Sequence, residues 1–332
     1  MQRWIGFAFA LTAYFGLSTE TIAFDDHPKH AAYLDAASGG LPFELQGEYI
    51  GRMGTGTLVG AQVIAGRDGK FDAVLFEKGL PAGGWFKTRV PLTGKLENDA
   101  VKLSGVNFTA TLEKGAMHGS GEEVAFELRK IHRQSPMLGM QPPEGAIVLF
   151  NGTNTDEWIN GKLVEGNLLG FGPRVHYGIR SKRSFGDITL HIEFRTPFMP
   201  TALDQGRGNS GVYLADQYEC QILDSFGLSG ENNECGGFYK QLKPRINMCL
   251  PPLTWQTYDF DFQMAKFDAA GKKTHNAVVT LRHNGVLIHN HAELTSSTPG
   301  GGQSDESKPG PLYLQDHGNP VYFRNIWVVE KK

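Results

Sequence analysis

Short segments in which apolar and polar residues alternate, each closed by glycine or by an Asn-Gly or Asp-Gly pair, constrain this chain more than any other feature. Ile188 to Arg195 shows it most clearly, with Leu190, Ile192 and Phe194 set against His191, Glu193 and Arg195. A period of two belongs to a strand, because successive side chains leave a strand on opposite faces. Asp68-Gly69 and Asn284-Gly285 sit between such segments, where two-residue hairpin turns need positive φ at both central positions. Glycine makes up 42 of the 332 residues with no Gly-X-Y period, well above the usual share of about 7%. The chain is therefore expected to be all-β. A hydrophobic content of 40% and a charged content of only 20% argue against disorder and coiled coil.

A length of 332 residues suggests about two domains, and the strand signals fall into two series. Arg3, the apolar run Trp4 to Leu17, polar Ser18 to Thr21 and small Ala23 read as a secretory signal peptide over residues 1–23. The apolar run is too short to span a bilayer. The mature protein is thus expected to be secreted or periplasmic, with no membrane span after cleavage. Residues 24–42 read as a linker and 43–132 as a small N-terminal β domain without a catalytic cluster. Residues 133–145, with Ser135-Pro136 and Pro142-Pro143, read as a second linker. Residues 146–332 carry enough antiparallel strands for a sandwich or jelly roll. Ser296 to Pro309, with Gly300 to Gly302, reads as a mobile loop.

With 32 basic and 35 acidic residues interspersed, neither nucleic acid nor an anionic membrane surface is favoured as a partner. The three cysteines, Cys220, Cys235 and Cys249, form no disulfide framework and no Cys-x-x-Cys site. Cys220 reads as a small buried hydrophobe, and Cys235 with Cys249 as the available pair.

Strand parity also selects candidate functional residues. In Tyr218 to Asp224, Glu219 and Gln221 share one face while Cys220 and Ile222 share the other. His191 with Glu193, and Tyr313 with Gln315 and His317, are sorted in the same way. Acid, amide and imidazole from three strands are expected to converge on the concave side of one sheet. His289-x-His291 has a spacing a metal can use, but beside Asn284-Gly285 an exposed edge is the simpler reading. Asp224 and Asp316 read as turn-ordering residues. Arg324 is either a carboxylate partner or a solvated strand residue.

From about Glu144 to Val329 the chain resembles the 3-keto-disaccharide hydrolase family, also described as 3-keto-glucoside 1,2-lyases and 3-keto-2-hydroxy-glucal hydratases. The resemblance is carried by Val148-Leu149-Phe150-Asn151-Gly152, Gly208-Asn209-Ser210-Gly211-Val212-Tyr213, Tyr218 to Ser225, Gly310 to Gly318, and Phe323-Arg324-Asn325-Ile326-Trp327. Cys235-Gly236-Gly237-Phe238-Tyr239 departs from the family's usual Gly-Ala before the aromatic pair. The resemblance implies a concanavalin-like jelly-roll sandwich acting on a small carbohydrate or glycoside.

It also implies a chemistry. A ketone at C3 acidifies the C2 hydrogen, so a modest base can form an enediolate that expels the C1 substituent before water adds back. His317 or Glu219 is assigned the base role. Asn209, Gln221 and Gln315 are assigned as orienting groups, Tyr239 or Lys240 is placed near the leaving group or ketone, and His191 and Glu193 are placed on the substrate face. The cofactor is open; a divalent metal held by Glu219 and a histidine would suit the enediolate. Two other readings compete. Glu219-x-Gln221-x-x-Asp224 resembles the acidic strand of jelly-roll β-glucanases, which suggests a conventional glycosidase. The fold alone would also suit a non-catalytic carbohydrate-binding module.

Overall fold

A computed structural model describes residues 30–331 except 55, 85–87, 122 and 173–177. The signal-peptide segment lies outside the described residues. From Tyr33 onward the expected linker is ordered. A helical segment α1 (Ala36–Leu45) is started by the Asp35 carboxylate, which accepts from the Ser38 N–H at 2.8 Å. It is interrupted at Gly40, whose φ of 59° is open to glycine at little cost.

Eight strands follow: β1 (Gly47–Met53), β2 (Thr57–Ala65), β3 (Lys70–Glu77), β4 (Arg89–Glu97), β5 (Ala100–Gly105), β6 (Phe108–Glu113), β7 (Ala116–Gly121) and β8 (Val124–Ile131). Each pairs with the next, and β8 returns to β1 at Ile131–Glu48 to close an up-and-down barrel. Closure removes the two edges that an open sheet would expose. Between β2 and β3, Asp68 and Gly69 have the positive φ expected of that pair, 57° and 69°, but the connection runs through a three-residue 3-10 turn, Arg67–Gly69, rather than a two-residue one. The barrel core gathers Tyr49, Val63, Phe71, Leu75, Leu112 and Leu128.

The second domain comprises β9 (Ile147–Phe150), β10 (Trp158–Ile159), β11 (Gly161–Val164), β12 (Leu168–Phe171), β13 (Ile179–Phe185), β14 (Ile188–Arg195), β15 (Ser210–Leu214), β16 (Tyr218–Ile222), β17 (Gln256–Gln263), β18 (Lys266–Phe267), β19 (Lys273–His275), β20 (Ala277–His283), β21 (Val286–Leu294), β22 (Gly310–Leu314) and β23 (Tyr322–Glu330). A smaller sheet of five strands runs β10-β13-β22-β15-β16, and a larger one runs β11-β12-β23-β14-β17-β20-β21 with β9 beside β23. Leu190, Ile192 and Phe194 from the larger sheet meet Val212, Leu214, Cys220, Ile222, Leu312 and Leu314 from the smaller one in a single core. Inward apolar and outward polar residues thus alternate on both sheets, the sandwich that period-two patterning demands.

Three local expectations are corrected. Ser296 to Pro309 is pinned rather than loose: Gln217 donates to Asp305 and Lys308 carbonyls, Glu306 accepts from Tyr218 and Lys273, and the Gly302 N–H donates to Asp216. His289 and His291 do not share a face. The β20–β21 register shifts, His291 has a φ of 47° and is exposed, and His289 is buried against the Gly236 carbonyl at 2.7 Å. All three cysteines are free and buried, and Cys235 Sγ lies 3.1 Å from the Tyr258 hydroxyl.

Candidate functional site

The outer face of the smaller sheet holds the polar cluster. In β16, Cys220 and Ile222 enter the core, so Glu219 and Gln221 leave it on the opposite face. Pairing across β15 places Tyr213 opposite Glu219 and Gly211 opposite Gln221, and β22 adds Tyr313 opposite Tyr213. Gln315 joins them just beyond β22, its backbone N–H donating to the Gly211 carbonyl. At the free edge of β16 the segment Gly236 to Tyr239 runs antiparallel, with Phe238 bridged to Cys220. That register places Tyr239 beside Glu219 on the outer face, where its backbone N–H donates to the Glu219 carbonyl at 3.1 Å.

Glu219 is the chemical centre of this face. It is 3% exposed, and burial pushes its carboxyl up to about 7, opposed by the Tyr213 hydroxyl donating to Oε2 at 2.9 Å. A carboxyl that titrates near neutrality can both take and return a proton under ordinary conditions. The Tyr213 hydroxyl also lies 3.1 Å from the Pro299 carbonyl and accepts from Gln315 Nε2 at 3.4 Å. Gly211 makes this arrangement possible, because a Cβ there would sit 2.6 Å from Glu219 Oε1. The clearance at Gly211 is thus filled by the Glu219 carboxyl.

Amide groups complete the cluster. Gln221 Nε2 donates to Gln205 Oε1 at 3.0 Å, and Asn209 Nδ2 donates to the Gln205 carbonyl at 2.6 Å. Among the described residues, the side-chain oxygens of Asn209, Gln221 and Gln315 are buried without a hydrogen-bond partner. Buried polar atoms are rarely left so, and these three acceptors belong to one cluster. Further along the sheet, the Arg180 guanidinium lies 3.9 Å from the centre of the Tyr313 ring and donates to Asp216 at 2.8 Å.

The expected site residues therefore divide. Glu219, Gln221, Gln315 and Asn209 come together, with Tyr239 beside them. His317 is exposed beyond β22 in the segment that ends at Asn319, whose side chain accepts from the Asn209 N–H. Lys240 is exposed, its ammonium 5.2 Å from the Tyr239 ring centre.

His191 and Glu193 are corrected outright. They lie in β14 of the larger sheet, facing away from the core and beneath the connection between domains. His191 Nδ1 is 2.6 Å from Asp259, while Glu193 accepts from Arg324, Asn325 and the Gly139 N–H. Burial alone would raise the Glu193 carboxyl, but His191, Asn325, Gly139 and Arg324 outweigh it and hold it near 2. Arg324 is thus a carboxylate partner, and the pair clamps the linker. Strand parity assigned a face to each residue correctly but could not say to which sheet the strand belonged.

Sequence reasoning missed Tyr213, Gln205, Arg180 and Asp216. Tyr213 was accessible to the same parity rule, being two residues from Gly211. Gln205 lies outside any strand, in the turn Asp204–Gly206, and had no such signal. Asp224 orders its turn by accepting from the Phe226 N–H, and also pairs with Arg207 at 2.7 Å. Asp316 accepts from the Gly318 N–H as expected. Among the described residues, no three His, Cys, Asp or Glu form a metal-ligating group. A divalent ion at Glu219 would find one carboxylate and the amide oxygens around it as hard donors.

Residues 145–329 match a family model described as a 3-keto-alpha-glucoside-1,2-lyase-like domain. A solved structure of a candidate glycosyl hydrolase from Parabacteroides distasonis is similar at 33% identity, covering 57% of this chain and 85% of its own, with a TM-score of 0.52. Another candidate glycosyl hydrolase from the same organism aligns at 18% identity over 57% of this chain and 95% of its own, with a TM-score of 0.43. No curated protein matches the chain.

Proposed function

The chain belongs to the 3-keto-alpha-glucoside-1,2-lyase-like family and is a carbohydrate-active enzyme, and on that premise we propose that it cleaves 3-keto-glycosides by removing the C2 proton. Glu219 is the base. Its placement carries this reading: a buried carboxyl on the outer face, held by the Tyr213 hydroxyl at 2.9 Å among the unpartnered oxygens of Asn209, Gln221 and Gln315, with burial pushing its titration up to about 7. The C–H electrons move to the C3 ketone as an enediolate and then expel the C1 oxygen, which takes up a proton as it leaves. Addition of water at C1 with return of a proton to C2 completes a net hydrolysis. His317, exposed two residues beyond Gln315, is assigned to the leaving oxygen. The unpartnered oxygens of Asn209, Gln221 and Gln315 accept from sugar hydroxyls. Glu219 is covered in part by Thr298, whose hydroxyl accepts from its N–H, and by Pro299 over Tyr213. Entry of a sugar therefore involves a shift of this segment. We propose further that the protein is exported, as its N-terminal sequence pattern suggests.

A conventional two-carboxylate glycosidase is less well supported, because Asp224, the second acid of that reading, is engaged with Arg207. The test is to incubate the protein with a 3-keto-glycoside in deuterated water and follow C2 by NMR. Deuterium at C2 with release of the aglycone is expected, and Glu219→Ala should cost at least about 100-fold in rate. Cleavage of an unoxidised glycoside with no activity on the 3-keto form would overturn the proposal. Binding of sugar without turnover would favour a carbohydrate-binding module instead.

A further inference from the structure

Beyond its turn, the β15–β16 hairpin opens toward the barrel. Residues 196–209 lead into β15, and the segment from Leu223 to Gly230 leaves β16. The barrel touches both. Phe198 is part of the barrel's own core, with its ring centre 5.3 Å from that of Phe43 and 5.9 Å from that of Tyr33. Tyr33 and Phe198 exchange backbone hydrogen bonds at 2.9 and 3.0 Å. On the other flank, Arg89 donates to the Gly227 carbonyl at 2.7 Å, and a Cβ at Gly227 would meet Ile64 at 2.4 Å.

Arg207 ties these flanks together. Its Nε donates to Asp224 at 2.7 Å, and its carbonyl accepts from the Asp224 N–H at 3.0 Å, so it closes the open end of the hairpin. The other two guanidinium nitrogens cross to the barrel, Nη1 to the Ala65 carbonyl at 3.3 Å and Nη2 to Gln46 Oε1 at 3.5 Å. Gln46 is itself held by the Ala65 N–H at 3.0 Å. Arg207 is 8% exposed. Only a planar, multiply donating fork can serve a carboxylate and two neutral acceptors at once. Two residues before Arg207 stands Gln205 and two after it stands Asn209, and both belong to the polar face around Glu219.

We propose that the barrel braces the substrate-binding face, and that Arg207 is the positioning residue through which Gln205 and Asn209 are held in place. The inference rests on the assignment of that face as the substrate site. It gives the barrel a role in substrate orientation rather than in the chemical step.

The test uses the full-length protein with Arg207→Lys, which keeps the charge but loses the fork, and Gln46→Ala, which removes a barrel acceptor and leaves the sandwich sequence intact. Hydrogen–deuterium exchange should quicken about tenfold at residues 205–209 and 223–227 in both variants, the size of opening expected from one lost hydrogen bond, while β3 and β7 stay protected. On a 3-keto-glycoside, KM should rise about tenfold with kcat little changed. Unchanged exchange in both variants would overturn the brace, and so would a loss confined to kcat. Wild-type protein that turns over no 3-keto-glycoside would sink the proposed reaction alone, since the exchange comparison needs no substrate.

Discussion

At Glu219, burial links chemistry to stability. Its folded carboxyl titrates near 7 against an ordinary 4.5, so between those values the folded state holds a proton that the unfolded state has lost. The resulting stability is complete below pH 4.5 and disappears as pH rises through 7. At about 1.4 kcal/mol per unit it amounts to roughly 3 kcal/mol. Urea unfolding at pH 5 and pH 8 should show Glu219→Gln losing less stability than wild type over that interval by a similar amount; parallel pH profiles would contradict the raised titration. Tyr213 offers a second check. Its hydroxyl stabilises the ionised carboxylate, so Tyr213→Phe should move the acid limb of the kcat/KM profile to higher pH by about one unit. A shift to lower pH would mean that the hydroxyl stabilises the protonated acid instead.

At the scale of elements, the β15–β16 hairpin and β14 show what alternation does and does not specify. Gly211 has no positive φ to protect, and its value lies in the space it leaves for Glu219. Gly211→Ala should therefore fold with nearly normal stability yet lose about 100-fold in rate as the carboxyl is displaced, an effect read by pairing thermal unfolding with kcat. β14 should behave in the opposite way. Glu193 anchors Arg324, Asn325, His191 and the Gly139 N–H, so Glu193→Gln should cost about 3 kcal/mol of stability, the scale of a broken buried ion pair. Its KM should not change. A raised KM with unchanged denaturant midpoint would return Glu193 to the substrate face.

For the whole molecule, the consequential contact is the one between barrel and sandwich. Phe198 belongs by sequence to the second domain and by packing to the first. Truncating such an aromatic costs about 3–5 kcal/mol through lost burial and the cavity left behind. Phe198→Ala should therefore lower the unfolding midpoint of both domains together. Two separated calorimetric transitions already present in the wild type would show that the domains unfold independently.

Alternation alone was enough to place Ile188–Arg195 as a strand, to set Glu219 and Gln221 on the face away from the core, and to mark Asp68-Gly69 and Asn284-Gly285 as turns, because these depend on a residue and its immediate neighbours. The ordered motifs from Val148 to Trp327 added the family. Barrel closure, the removal of His191 and Glu193 to the other sheet, the pinning of residues 296–309 and the clasp at Arg207 lay beyond that reach. Each depends on which strands pair and what packs across them, and a local pattern with period two is compatible with any of those pairings. Likewise, the elevated titration of Glu219 is a property of its burial, which only the assembled loops and sheets create.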